Sequence, residues 1–209
     1  MNEITAITPQ IKDKRRCNVY IDGRFCCGLT IEAAMQNRLK VGTVIEPTRL
    51  AEIQAQSEKQ VALDKALTHI SASQKTEKEV RRFLKDKGYL SSVSDYVVQK
   101  MQEYGFIDDG EYAKRYAGSA VKRKGKRLIK MELKQKGVSE GEIEEAVEEL
   151  EGEEETAFRL AQKYAKNKPQ DLATKQKTYR YLLGKGFDYE TAKTAVDRAV
   201  LGEDEEDEE

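Results

Sequence analysis

The chain has 209 residues, 36% charged and 38% hydrophobic, with three Pro and no Trp. This composition excludes a chain disordered throughout, and no apolar stretch has the length of a signal peptide core or a membrane span. The formal net charge of −1 hides an asymmetry: residues 203–209 are seven consecutive acids, and without them 37 Lys and Arg face 31 acids, a net +6. A basic body of this kind suits a polyanion or an acidic partner surface, whereas the acidic run reads equally as a solvated, disordered end.

In chain order, residues 1–57 form an N-terminal extension unlike the rest. Ile4–Ile7 reads as a strand. Val19–Cys26 reads as a hairpin in which Asp22-Gly23 supplies the two positive-φ positions of a type I′ turn. That register sets Tyr20 opposite Phe25 and Val19 opposite Cys26. Ile31–Met35 is predicted as a short helix and Thr43–Ile45 as a short strand. So small a sheet is marginal alone and is expected to pack on the first helices. Cys17, Cys26 and Cys27 are an odd number without CxxC spacing, which predicts neither a disulfide framework nor a zinc site.

From about Glu58 the pattern is helical. Val61, Leu63, Ala66, Leu67 and Ile70 form a first apolar stripe. Thr76 with Glu79 makes a capping box ahead of Val80, Phe83 and Leu84, and Gly88 is placed to stop that helix. Ser92 with Asp95 is expected to open the next helix, which carries Val97, Val98 and Met101 and ends at Gly105. The same grammar then recurs. Asp108 and Glu111 precede Tyr112, Ala113, Tyr116 and Ala117. A helix over Lys126–Lys136 buries Ile129 and Leu133 and stops at Gly137. Ser139 and Glu142 cap the run Ile143, Ala146, Val147, Leu150. A third round has Phe158, Leu160, Ala161 and Tyr164, then Tyr179, Leu182 and Leu183 up to Gly186, then Asp188 ahead of Ala192, Ala195 and Val196.

The repetition has a fixed spacing of 49 residues: Leu84, Leu133, Leu182; Lys87, Lys136, Lys185; Gly88, Gly137, Gly186; Val98, Val147, Val196. Such self-similarity predicts stacked copies of one supersecondary unit. The expected fold is all-α: an elongated, curved tandem array of three three-helix repeats, at 58–108, 109–152 and 153–202, followed by the tail at 203–209. An array of this kind offers an extended binding surface more readily than a catalytic pocket.

No catalytic constellation emerges. His69 is the lone histidine and reads as a surface or packed residue. Asp108-Asp109 lies at a helix start, where acids serve the free N–H groups. No metal, cofactor or enzymatic activity is expected.

The strongest functional signal is basic. Lys122, Arg123, Lys124, Lys126 and Arg127 are followed by Lys130, Lys134 and Lys136, with Glu132 the single acid in residues 122–136. Lys126, Arg127, Lys130 and Lys134 fall within an arc of about 100° on a helical wheel. Such a stripe suits phosphates, although it also reads as a solvated helix face. Arg81, Arg82 and Lys85, with Lys78, offer a smaller patch, and Lys175, Lys177, Arg180 and Lys185 a weaker one. Tyr112, Tyr116 and Tyr179 suit stacking on bases or, beside Ala, a core.

The motifs Phe83-Leu84-Lys85-x-Lys87-Gly88-Tyr89, Tyr104-Gly105-Phe106-Ile107-Asp108-Asp109-Gly110-Glu111-Tyr112-Ala113, Gly125-Lys126-x-x-Ile129-x-x-Glu132-Leu133-x-x-Lys136-Gly137-Val138 and Leu182-Leu183-x-x-Gly186-Phe187 resemble the RecX family of bacterial recombination regulators over about residues 60–200. The absence of a signal-peptide or membrane-span stretch makes a soluble cytosolic protein the expectation, and the resemblance implies a regulator that binds the RecA recombinase, lodges in the groove of its filament on single-stranded DNA, and mostly inhibits it. Gly184 departs from the family pattern, where Arg or Lys is common, and the tail is not a general family feature. A monomer is expected. A sequence-nonspecific nucleic-acid binder and a protein-interaction scaffold remain as alternatives.

Overall fold

The computed structural model describes residues 2–11 and 13–201, so the acidic run at 203–209 lies outside the described residues. Among the described residues the chain forms ten helices and one three-stranded antiparallel sheet, the all-α fold with a small β extension that the sequence predicts. The described residues fall into two compact units: residues 2–74 with 80–106, and residues 75–79 with 107–201.

The first unit begins with β1 (Ile4–Pro9), β2 (Arg16–Ile21) and β3 (Arg24–Thr30) in the order β1-β2-β3. Asp22 and Gly23 both hold positive φ, +46° and +79°, as the type I′ turn demands. Tyr20 pairs with Phe25, ring centroids 5.9 Å apart. Val19, however, pairs with Cys27 and not with Cys26. A bulge between Val19 and Tyr20 gives β3 one extra residue, which leaves Cys26 exposed and turns Cys27 into the core. Thr43–Ile45 makes no strand; only Val44 bridges to Glu3.

Next come α1 (Ile31–Gln36) and α2 (Pro47–Ser71). The helix begins well before Glu58. Pro47 at its start supplies a preset φ, and Leu50 and Ile53 bury against Ile4, Val19 and Leu29 of the sheet. Ser57 fastens the same face, accepting from the Thr30 N–H at 2.9 Å. α3 (Glu77–Asp86) carries the predicted capping box, with Thr76 N–H to Glu79 Oε2 at 3.2 Å and Glu79 N–H to Thr76 Oγ1 at 3.3 Å. α4 (Ser91–Glu103) does not open on Ser92 and Asp95. It starts behind Leu90, whose side chain offers no acceptor for a cap, and Asp95 falls in its second turn, where its carboxylate accepts from Arg81 at 2.6 Å.

The second unit holds α5 (Asp109–Ala120), α6 (Lys126–Lys136), α7 (Glu140–Glu148), α8 (Glu153–Ala165), α9 (Leu172–Gly184) and α10 (Tyr189–Leu201). Asp108, Ser139 and Asp188 cap α5, α7 and α10 as expected. The repeated columns have one physical meaning each. Leu84, Leu133 and Leu182 are fully buried, each contributing about 1.5–3 kcal/mol. Gly88, Gly137 and Gly186 take φ of +83°, +92° and +90°, ending a helix where a Cβ would be strained.

The period also appears in hydrogen bonds within this unit. Glu77 N–H donates to Asp109 Oδ1 at 2.9 Å, and Lys126 N–H donates to Glu153 Oε1 at 2.7 Å. Asp109 and Glu153 are the first residues of α5 and α8, so each carboxylate closes the N-terminus of an earlier helix. Thr76 Oγ1 donates to the Lys136 carbonyl at 2.7 Å, while its periodic counterpart Gly125 donates its N–H to the Lys185 carbonyl at 3.0 Å. α9 is closed by its own Asp171, which accepts from Thr174 N–H at 2.7 Å.

Candidate polyanion-binding face

The helix α6 is where sequence expects the basic stripe, and its ends fall at the predicted residues because Gly125 precedes it in extended backbone and Gly137 follows it in the left-handed region. Ile129 and Leu133 are buried, leaving the lysines toward solvent and toward α7. There the stripe meets acids. Lys130 pairs with Glu144 at 2.5 Å, and Lys134 lies 3.9 Å from Glu140. Exposed pairs like these contribute roughly 0–1 kcal/mol to stability, but they do place a counter-charge beside each cation.

Lys124 folds back onto Glu132, which also accepts from the Tyr116 hydroxyl at 2.6 Å. The Glu132 hydrogen bond holds the Lys124 ammonium above its usual range. Lys136 is sequestered too. Its ammonium bonds Glu79 at 2.8 Å and sits over the Tyr112 and Tyr116 rings. Burial pulls its pKa down, yet the hydrogen bonds to Glu79 and Tyr112 outweigh it and the group ends up raised. Tyr112 and Tyr116 stack on each other, centroids 6.2 Å apart, and Tyr179 meets Tyr189 edge-on, so these rings are internal contacts rather than open stacking platforms.

The cations that keep their charge open lie at the α5–α6 turn. Among the described residues Lys122, Arg123 and Arg127 form no ion pair. All three are exposed. Lys126 is half-buried and its charge acts on Glu153. In the first unit, Arg81 bonds Asp95, Arg82 lies 3.9 Å from Asp86, and Lys85 is exposed. The predicted residues therefore do not sit together as one set: α6 brings Lys126, Lys130 and Lys134 to one side, while Lys122, Arg123 and Arg127 gather at its start.

Sequence reading passed over a second basic surface. Arg159 donates to the Lys122 carbonyl at 2.7 Å, and beside it Lys163, Lys166 and Lys168 line a cavity of about 720 Å³ formed mainly by α8, the α8–α9 loop and the end of α10. The signal was an acid-free run over residues 159–170.

Nothing in the described residues resembles a catalytic centre. His69 stacks flat on Phe83, centroids 4.0 Å apart. Burial pushes the Cys27 thiol up to about 11, which keeps it protonated and unreactive. Among the described residues no group of three or more His, Cys, Asp or Glu is arranged to hold a metal, and no helix is long and apolar enough to cross a membrane.

Four family models match the chain: the regulatory protein RecX N-terminal domain at residues 2–46, and the RecX first, second and third three-helix domains at 62–101, 108–147 and 152–196. Regulatory protein RecX of Clostridium beijerinckii is 33% identical, covering 96% of this chain and 97% of its own. That of Clostridium perfringens strain 13 is 31% identical over 97% and 99%. A crystal structure of regulatory protein RecX superposes with a TM-score of 0.70 at 27% identity, covering 94% of this chain and 100% of its own. The crystal structure of RecX from Lactobacillus salivarius gives 0.63 at 25%, covering 69% and 97%.

Proposed function

Because the chain belongs to the RecX family of regulatory proteins, we propose that it binds the RecA recombinase filament on single-stranded DNA, in the filament groove, and modulates it. The effect is mostly inhibitory, on ATP hydrolysis, strand exchange and co-protease activity. The observation that carries the reading is a tandem set of three-helix domains with open cations, Lys122, Arg123 and Arg127, at one helix start. Repeated units facing a periodic filament make several weak contacts that combine as avidity. In the first unit Lys85 is an exposed cation. Lys130 and Lys134 contribute to a greater degree only where a phosphate displaces Glu144 and Glu140. The protein acts as a cytosolic monomer and supplies no chemical step of its own.

The test is a titration of the protein into RecA on single-stranded DNA while ATP hydrolysis is followed, with binding to bare DNA measured in the same buffer. Loss of hydrolysis at substoichiometric protein, before bare DNA is coated, supports filament modulation. Loss only at saturation of the DNA favours a nonspecific nucleic-acid binder. No loss at any ratio leaves a helical scaffold with a different partner.

A further inference from the structure

The α8–α9 loop joins two helices of the second unit and carries more open positive charge than the stripe on α6. Its cavity, about 720 Å³, is lined by Arg159, Lys163, Lys166 and Lys168 and by no carboxylate. None of these four forms an ion pair among the described residues. Lys130 and Lys134 on α6 each face a glutamate.

The loop is also shaped. Asn167 takes φ +64°, a left-handed position that reverses the chain and sets Lys166 and Lys168 on either side of the bend. The Lys168 ammonium rests 3.2 Å above the Tyr164 ring, and that ring stacks on Tyr181 at 4.5 Å. Arg159 is fixed at the other end by its bond to the Lys122 carbonyl. Through that bond the cavity adjoins the turn that carries Lys122, Arg123 and Arg127.

We infer that the Arg159–Lys168 cavity is a phosphodiester-binding site, continuous with the Lys122–Arg127 turn, and that this path rather than the outer face of α6 carries the strand contact. The inference rests on the polyanion part of the function proposed above. The site selects for charge and not for sequence, since the charged side chains that line it are all cations suited to phosphate oxygens, the rest are neutral, among them Gln162, Asn167, Gln170 and Thr174, and no aromatic ring lines it. Three lysines of this kind account for a change of about 2 in the slope of log affinity against log salt on a single strand.

The experiment uses the full chain, a fluorescent thirty-residue oligothymidylate and anisotropy across a salt series. Two variants carry Lys163, Lys166 and Lys168 together as Glu or together as Gln, and a third carries Lys130→Gln with Lys134→Gln. Lys163 in the last turn of α8 and Lys166 and Lys168 of the loop are all exposed, and circular dichroism checks that each variant folds. The expected result is a loss of tenfold or more at low salt with Glu, a smaller loss with a slope reduced by about 2 with Gln, and less change for the α6 pair. Wild-type binding with both loop variants unchanged overturns the assignment of the site while leaving the polyanion reading intact. No wild-type binding at low salt overturns both. Competition by polyglutamate of matched charge as strong as by unlabelled DNA would assign the cavity to an acidic polypeptide and overturn the phosphodiester reading.

Discussion

Gly125 and Gly186 lie backbone against backbone: a Cβ on Gly125 would overlap the Gly186 carbonyl, and one on Gly186 would overlap Leu128. The Arg127 N–H reaches the Gly186 carbonyl at 3.2 Å through this contact, so the α6 start and the turn after α9 meet only because neither carries a side chain there.

Gly125→Ala is therefore expected to destabilise the second unit by about 1–3 kcal/mol or more, as overpacking does. Gly88→Ala is the comparison, because Gly88 shares the positive φ of Gly186 but has open space where its Cβ would point. It should cost only the left-handed penalty of roughly 1–2 kcal/mol. Gly186→Ala should exceed it. Urea unfolding of the three variants gives the order.

Glu79 and Lys136 make a partly buried pair whose stabilising effect depends on pH. Burial raises the Glu79 pKa, but the Lys136 hydrogen bond and the Thr76 N–H outweigh it and leave it below its ordinary 4.5. A depressed carboxylate stabilises above its unfolded pKa and loses that effect as pH falls through the folded one. The wild type should lose stability below about pH 4.5, and Glu79→Gln should show a flatter acid limb. At pH 7 the Gln variant should be less stable by about 1–3 kcal/mol. Thermal melts across pH 3–7 would decide it, and parallel acid limbs would sink the claim.

Glu153 has the opposite sign. Burial raises its pKa despite the bond from the Lys126 N–H. A raised carboxylate stabilises below its unfolded pKa and gives that up as pH rises. Glu153→Gln keeps an acceptor for the N–H without the buried charge, so at pH 7 it should match or exceed the wild type, the difference shrinking toward pH 4. Glu153→Ala removes the cap and should cost roughly 0.5–2 kcal/mol. Gln behaving like Ala at pH 7 would show that the charge itself is needed.

Removal of residues 203–209 changes the formal net charge from −1 to +6, with 37 bases against 31 acids. Affinity for single-stranded DNA should rise at low salt, and the gain should fade as salt shortens the Debye length to about 3 Å near 1 M. Equal affinity at low salt would mean that the tail does not influence the site.

Much of the fold was legible because its signals are local. Capping boxes at Thr76 and Ser139, the Asp108 and Asp188 caps and the three positive-φ glycines each act within a few residues, so their positions survive in sequence. The errors came where distant partners decide. Cys26 gives way to Cys27 through a bulge whose cause lies in the pairing of two strands. The first turns of α2 are held by a sheet far away in sequence, and α4 begins at Ser91, ahead of the Ser92 and Asp95 pair, so that Asp95 lies in its second turn and bonds Arg81. The surroundings of the candidate site were illegible for the same reason. A helical wheel places Lys130 and Lys134 on an open arc, but Glu144 and Glu140 reach them from the next helix. The cations at 159–168 escaped because their grouping depends on a reversal at Asn167.

The borrowed carboxylates at the starts of α3 and α6 give the chain a direction of assembly. In each of those helices the first N–H is bound by a later segment, Asp109 for α3 (beside its own Thr76–Glu79 box) and Glu153 for α6, whereas α9 is capped by its own Asp171. The pattern has the logic of a coupling with an open socket and a plug, closed off by a terminator. A lengthened version would have to insert new copies before α8, or strip Asp171 of its role, to leave a socket for the next plug.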